Sequence, residues 1–191
     1  YKISFGVVLV VFSQIFDLYI FEYLGYFEVL LGFIFFIYQL YLIFKTKVRK
    51  QKDIYYRYIV FSVINFIIAL VLVCFYFVLS NDYLLFISGF IFLLGFLTPI
   101  ITAHLYKIIP FLVWFHRISS LVGKQKVPML ADMVPVKSSD FGFAFYLLGF
   151  ILSLIAFIFS SDILFKSAVS FLFVGTSFIV KDVFYIINFK G

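Results

Sequence analysis

Long apolar runs, separated by short polar breaks, extend along the whole chain. A helix that crosses the hydrocarbon core of a bilayer needs about 20 mostly apolar residues. Six runs reach that length, so the pattern predicts an all-α, polytopic integral membrane bundle of about six transmembrane helices. The predicted spans are residues 3–21, 26–45, 57–79, 83–106, 141–160 and 163–187.

The breaks between these runs predict where the chain reverses direction. Residues 22–25 fit a tight turn, and residues 45–53 fit a charged loop. Residues 80–82 and 160–162 are short turns rich in Ser, Asn and Asp, which cap the N-terminus of a following helix. With residues 107–140 as the one long connection, the six spans form three helical hairpins.

The long connection contains a further periodic segment. From Pro110 onward, apolar residues recur every three or four positions, and polar residues lie between them. Proline is favoured at the first position of a helix, and Gly123 suits its end. We therefore predict an amphipathic helix over residues 110–122 that lies in the cytoplasmic membrane interface, with an extended stretch over residues 124–140.

Basic residues are distributed asymmetrically about the six predicted spans. Every Lys and Arg except Lys166 falls on one side, and the other side carries Glu22, Asp82 and Asp162. Loops rich in Lys and Arg face the cytoplasm in most membrane proteins. The pattern predicts a multi-pass protein of the cell's inner (plasma) membrane, with both ends of the given chain in the cytoplasm.

The composition excludes a water-soluble globule and a disordered chain. Of 191 residues, 65% are hydrophobic and 13% are charged, whereas soluble domains have about half and about a quarter. The net charge of +6 therefore indicates orientation in the lipid bilayer and not nucleic-acid binding. The single Cys74 permits no intramolecular disulfide and no cysteine metal motif. Because the chain begins with Tyr1, we expect it to be a fragment of a longer protein.

Three polar residues within the predicted spans are candidates for a transport site. Gln14 and Asp17 lie one helical turn apart in the first span, and Asn65 lies in the third. Polar groups at membrane depth are costly, so they mark candidate paths for a proton, an ion or a small solute. The alternative is that these groups form only hydrogen bonds between helices, or, for Asp17, that it is an interfacial carboxylate.

The two histidines are candidates for binding a metal or a cofactor. His104 lies near the inner end of the fourth span, and His116 lies on the predicted interfacial helix. If that helix folds back, both imidazoles lie near the same membrane surface. Imidazole suits haem iron, copper or zinc, so a haem is a possible cofactor and the metal stays open. The alternative is that each histidine is simply solvated.

Part of the chain resembles a known family. A Gly-Phe pair at residues 95–96, followed by Leu-Tyr-x-x-x-Pro at residues 105–110, is similar to a helix of bacterial membrane proteins. These proteins are of the haem–copper oxidase subunit I type and the related NnrS-like group. The resemblance covers roughly residues 84–134, about a quarter of the chain.

The chain departs from that family at the metal ligands. The resemblance implies a helical fold. In the family, two histidines in a His-x-His arrangement near the outer end of this helix bind the metal cofactor. The corresponding positions here are Ser88 and Phe90, neither of which ligates a metal in that way. The resemblance therefore implies the fold without the cofactor ligands of this helix.

Three functions are compatible with these patterns. The first is a membrane protein related to respiratory haem–copper subunits, in a non-catalytic or accessory role. The second is a small transporter or channel for a proton, an ion or a small solute. The third is a structural subunit whose partners are other membrane proteins. The sequence favours a non-enzymatic role, because it contains no Gly-rich phosphate loop, no Ser/His/Asp set and no His-Glu-x-x-His.

Overall fold

A computed structural model describes residues 1–46 and 53–189, and every regular element in these ranges is helical. The predicted all-α architecture is therefore confirmed. Residues 47–52 of the predicted charged loop, and residues 190–191, lie outside the described part. The six principal helices are α1 (Lys2–Phe16), α2 (Tyr19–Thr46), α3 (Ile54–Leu79), α4 (Asp82–Leu121), α5 (Val136–Ile158) and α6 (Asp162–Ile187).

Five of these helices, α2 to α6, are long and apolar enough to cross a membrane. This finding indicates a membrane protein. The remaining helix, α1, has 15 residues, so it is shorter than the predicted first span over residues 3–21. The described helices form two compact units, which are α1 with α2, and α3 to α6.

The turn between α1 and α2 lies earlier than the sequence indicated. Asp17 adopts a left-handed conformation with φ of 53°, and the N–H of Leu18 donates to the Ser13 carbonyl oxygen at 3.1 Å. The predicted turn at residues 22–25 is instead part of α2. Gly25 is buried there against α1, and an added Cβ would lie 2.8 Å from the Gly6 carbonyl oxygen. This glycine therefore allows close helix packing and does not form a turn.

The two predicted serine-rich turns have the same local geometry. Ser80 and Ser160 are left-handed, with φ of 49° and 48°. The side chains of the next residues, Asn81 and Ser161, accept hydrogen bonds from backbone N–H groups in the first turns of α4 and α6. The predicted N-caps are thus formed.

The predicted separate helix over residues 110–122 is not formed. Instead, α4 continues without a break through Pro110 to Leu121. An interior proline removes one backbone hydrogen bond but leaves both flanking segments free to stay helical. Pro110 and Ile118 are buried, so this segment packs against the rest of the unit. At 40 residues, α4 is about 60 Å long, roughly twice the hydrocarbon thickness.

Two wide π-helical segments interrupt the α-helical geometry of α4. They are Ile91–Leu97 and Trp114–Ile118. After α4, the left-handed Gly123 leads into a loop, and a short 3-10 turn follows at Leu130–Met133. Helix α5 then begins at Val136, five residues before the predicted span at 141–160.

Helices α5 and α6 pack tightly along their buried faces. A Cβ added to Gly175 of α6 would lie 2.6 Å from the Tyr146 backbone nitrogen of α5. One added to Gly149 of α5 would lie equally close, 2.6 Å from the Leu172 nitrogen of α6. The two helices therefore touch backbone to backbone at two levels. This pairing fixes the face that α6 turns toward the interior.

Candidate functional site: a buried carboxylate beside two tyrosines

Asp182 of α6 lies in the interior of the second unit and is completely buried. Its position follows from the packing of α6. Ala168 and Gly175 precede it at intervals of seven residues, and both are buried in the same way. Residues seven apart lie on nearly the same face of a helix. The face that allows α6 to pack closely therefore also carries the carboxylate inward.

One oxygen of this carboxylate is held by a neighbouring helix. The hydroxyl of Tyr106 on α4 donates to Oδ2 of Asp182 at 2.8 Å, and both residues are buried. The other oxygen, Oδ1, is also buried and has no hydrogen-bond partner among the described residues. A buried carboxylate oxygen without a donor is costly, so Oδ1 is an acceptor that requires a proton, a donor or a cation.

Tyr58 of α3 completes the group. It is fully buried, and its hydroxyl also has no hydrogen-bond partner among the described residues. Its ring stacks on Tyr106 with 6.1 Å between the ring centroids, and it makes a T-shaped contact with the Phe143 ring at 4.9 Å between centroids. We refer to Asp182, Tyr106 and Tyr58 as the Asp182 cluster. The cluster combines side chains from three helices, and two of its polar atoms, Asp182 Oδ1 and the Tyr58 hydroxyl, are unsatisfied.

A basic residue is adjacent in sequence to each member of the cluster, but none of these three residues is buried. Each has its own polar partner on another helix or at the start of α3. The contacts are Lys107 to Asp53 at 3.1 Å, Arg57 to Asp140 at 2.9 Å and Lys181 to the Ser138 hydroxyl at 3.3 Å. The three cations therefore face outward and are engaged elsewhere. None of them neutralises Asp182.

The predicted transport residues are divided between the two units. Gln14 and Asp17 lie in the α1–α2 unit, and both are exposed. Asn65 lies in the other unit, where it is buried and donates to the Phe61 carbonyl oxygen at 2.8 Å. Its side chain packs against Gly95, where a Cβ would lie 2.8 Å from the Asn65 Cβ. Asn65 is thus accommodated by helix packing.

The buried serine and threonine hydroxyls have ordinary partners. Each donates to a backbone carbonyl three or four residues earlier in its own helix. These residues are Ser13, Ser62, Ser88, Thr102, Ser139 and Ser153. Such local bonds satisfy the hydroxyl without a partner helix. The Asp182 cluster differs from these hydroxyls because two of its polar atoms are left unsatisfied.

The two histidines lie on one helix and are far apart. His104 and His116 are separated by 12 positions of α4, which corresponds to roughly 18 Å along the axis. His104 is exposed, and its Nδ1 lies 2.7 Å from the Ile100 carbonyl oxygen. His116 is also exposed. The two imidazoles cannot bind one iron together from these positions, so they do not fit a shared haem. The described residues contain no group of three or more His, Cys, Asp or Glu suited to a metal ion.

No family model, no curated protein and no solved structure matches the chain. The resemblance to the haem–copper and NnrS-like group over residues 84–134 therefore stays a prediction.

Sequence reasoning missed Asp182, although the chain contains a signal for it. Asp182 follows Lys181 near the end of the last predicted span, where a charged pair fits a membrane boundary. The signal is the seven-residue spacing of Ala168, Gly175 and Asp182. Two small residues at this spacing predict the face of α6 that packs against other helices, and Asp182 lies on the same face.

Proposed function

We propose that the protein is a multi-pass membrane protein that binds and releases a proton at Asp182, acting as a small transporter or channel. The observation that carries this proposal is the free Oδ1 of a fully buried carboxylate. Ionisable side chains inside membrane bundles are rare and are commonly part of proton or ion pathways. Tyr106 holds Oδ2 and so fixes the direction in which Oδ1 points.

A proton is the ligand that the cluster fits best. A bound proton converts Oδ1 into a donor and removes the charge of the carboxylate. A bare metal cation needs several oxygen ligands, whereas the cluster offers Oδ1 and the Tyr58 hydroxyl as its unsatisfied atoms. A tyrosine hydroxyl both donates and accepts hydrogen bonds. Tyr58 is therefore suited to exchange a proton with Oδ1 once the two groups approach each other.

We further propose the six-span, three-hairpin topology of a bacterial inner membrane protein, with α1 as part of the first hairpin. The distribution of Lys and Arg supports cytoplasmic placement of the side of the bundle that carries Asp53, Lys107 and Lys181. The cluster then lies near the cytoplasmic boundary, because each of its members adjoins a basic residue in the chain.

Proton flux into proteoliposomes tests the proposal. The vesicles enclose a pH-sensitive dye, and a potassium diffusion potential drives protons inward. We expect Asp182→Asn to reduce the flux to the level of empty vesicles, because the amide cannot gain and lose a proton. Asp140→Asn is the matched control, since Asp140 is a half-exposed carboxylate paired with Arg57. Equal flux through the wild type, Asp140→Asn and Asp182→Asn would contradict the proposal.

An accessory role beside respiratory haem–copper subunits is the second proposal, and the resemblance over residues 84–134 supports it. Visible spectra of the purified, oxidised and reduced protein separate the two. A haem band that shifts on reduction favours the respiratory role and a cofactor site built with residues besides His104 and His116. A spectrum without such a band, together with proton flux that depends on Asp182, favours transport.

A further inference from the structure

A cavity of about 470 Å³ lies at the end of α4, away from the Asp182 cluster. Arg117 on its wall follows Tyr106 by 11 positions of the same helix, a distance of roughly 16 Å along the axis. The lining comes from three parts of the chain: the last turns of α4, the loop that follows, and the second residue after the end of α6. The lining residues are Arg117, Ile118, Leu121, Gln125, Lys126, Val127, Pro128 and Phe189.

Hydrogen bonds hold the walls of this cavity in place. The indole N–H of Trp114 donates to the Pro128 carbonyl oxygen at 3.0 Å, which ties the loop back to α4. Nη1 of Arg117 donates to the Ile187 carbonyl oxygen at 2.7 Å, which ties the end of α6 to α4. The backbone N–H of Gln125 also donates to the Leu121 carbonyl oxygen at 3.2 Å. The cavity is therefore built by specific contacts between its walls.

The chemistry of the lining combines positive charge with apolar surface. Arg117 and Lys126 are its charged members, Gln125 adds an amide, and no carboxylate is among the lining residues. A guanidinium has five N–H donors, so Arg117 retains donors after its bond to Ile187. Arginine and lysine side chains bind phosphate oxygens through charge-assisted hydrogen bonds. The adjoining Ile118, Leu121 and Val127 suit the apolar part of the same ligand.

We propose that this cavity binds the phosphate headgroup of an anionic phospholipid. The proposal uses the sidedness given above but does not depend on proton binding at Asp182. Anionic lipids are concentrated in the cytoplasmic leaflet, and basic residues next to a spanning helix attract them. A soluble phosphate compound would make the same contacts with Arg117 and Lys126, but it would leave the apolar lining unused. A phospholipid would use both the basic and the apolar parts of the lining, so it is the proposed occupant.

Native mass spectrometry of the full chain in detergent, with added lipid, tests this site. The probes are phosphatidylglycerol and phosphatidylcholine with identical acyl chains. Lys126→Gln removes one cavity charge, and Lys124→Gln is the matched control, since Lys124 is an exposed lysine of the same loop outside the lining. We expect Lys126→Gln to weaken phosphatidylglycerol binding by on the order of fivefold. Lys124→Gln and phosphatidylcholine binding should stay unchanged.

Two results would overturn the proposal. Equal phosphatidylglycerol affinity in Lys126→Gln and Lys124→Gln would remove the cavity as the binding site. Complete displacement of the lipid by millimolar glycerol 3-phosphate would show that the site accepts a free phosphate compound and does not select a lipid. Both lysines are exposed, and unchanged thermal unfolding of the two variants verifies that the fold is intact.

Discussion

The hydroxyl of Tyr146 on α5 donates a 2.7 Å hydrogen bond to the backbone carbonyl oxygen of Leu94 on α4. Leu94 lies in the first π-helical segment, where the N–H of Thr98 reaches back five residues to the Leu93 carbonyl. In that register, the Leu94 carbonyl would accept from residue 99, which is Pro99 and has no N–H. Tyr146 therefore supplies the donor that the proline lacks.

Tyr146→Phe should destabilise the protein without changing its shape, because Tyr146 is buried and the Leu94 carbonyl would lose this donor. The expected loss in free energy of unfolding is about 1–3 kcal/mol. Reversible unfolding in mixed detergent micelles measures it. Tyr185→Phe is the control, since Tyr185 is exposed. Equal stability of both variants would show that another group satisfies the Leu94 carbonyl.

The two tyrosines of the Asp182 cluster should differ in how the loss of their hydroxyls affects stability. Tyr106→Phe removes the donor to Asp182 Oδ2 and should destabilise by about 1–3 kcal/mol. Tyr58→Phe removes a buried hydroxyl without a partner, so its effect on the free energy of unfolding should be neutral or stabilising. The same micelle unfolding measurement compares them.

Proton flux adds a separate test of Tyr58. If Tyr58 exchanges a proton with Asp182, Tyr58→Phe should slow proton flux into vesicles while retaining the stability of the fold. Unchanged flux in this variant, together with loss of flux in Asp182→Asn, would restrict the proton site to Asp182 alone.

Close packing of α5 on α6 predicts a strong contrast between two glycine substitutions. A Cβ at position 175 would lie 2.6 Å from the Tyr146 backbone nitrogen, so Gly175→Ala must push the helices apart. We expect a loss of about 1–3 kcal/mol in stability. At Gly89 of α4, no heavy atom lies within 4 Å of an added Cβ. Gly89→Ala should be neutral or stabilising by up to about 1 kcal/mol, because alanine favours the helix. A reversed order in the unfolding measurement would contradict this packing.

A variant of Asp17 distinguishes two hypotheses for the proton site, which are Asp17 and Asp182. The sequence hypothesis expects Asp17→Asn to abolish transport. Asp17 is exposed at a left-handed turn position that asparagine also tolerates, so this variant should fold. Proton flux that persists in Asp17→Asn but stops in Asp182→Asn supports the buried site. The opposite result would assign the proton site to Asp17.

Local rules predict the elements of this fold better than they predict its packing. The all-helical architecture follows from the length of the apolar runs, and Asn81 and Ser161 follow from capping chemistry. The predictions of a turn at Gly25 and of a helix start at Pro110 are wrong, because a glycine or proline in a helical pattern is compatible with either a helix end or a helix interior. Each ends a helix when the chain turns there, and each stays within it when a neighbouring helix packs against that point.

The candidate site was predictable only in part. A carboxylate in an apolar run is visible in the sequence, but its exposure depends on the partner helix. Asp17 lies in an apolar context and is exposed, whereas Asp182 adjoins a lysine and is completely buried. The missing partners of Oδ1 and of the Tyr58 hydroxyl depend on distances between three helices, which no local pattern specifies.

The glycine contacts between α5 and α6 also have a mechanical consequence. Backbone touching backbone at Gly149 and Gly175 prevents these helices from sliding past each other. We therefore expect α5 and α6 to keep their relative position, with Asp182 carried on α6. If Asp182 exchanges a proton as proposed, the motion that admits it is then expected from α3 and α4, which carry Tyr58 and Tyr106. In α4, Tyr146 of α5 holds the Leu94 carbonyl oxygen in the segment before Pro99, so we expect such motion in the part of α4 beyond Pro99, which carries Tyr106.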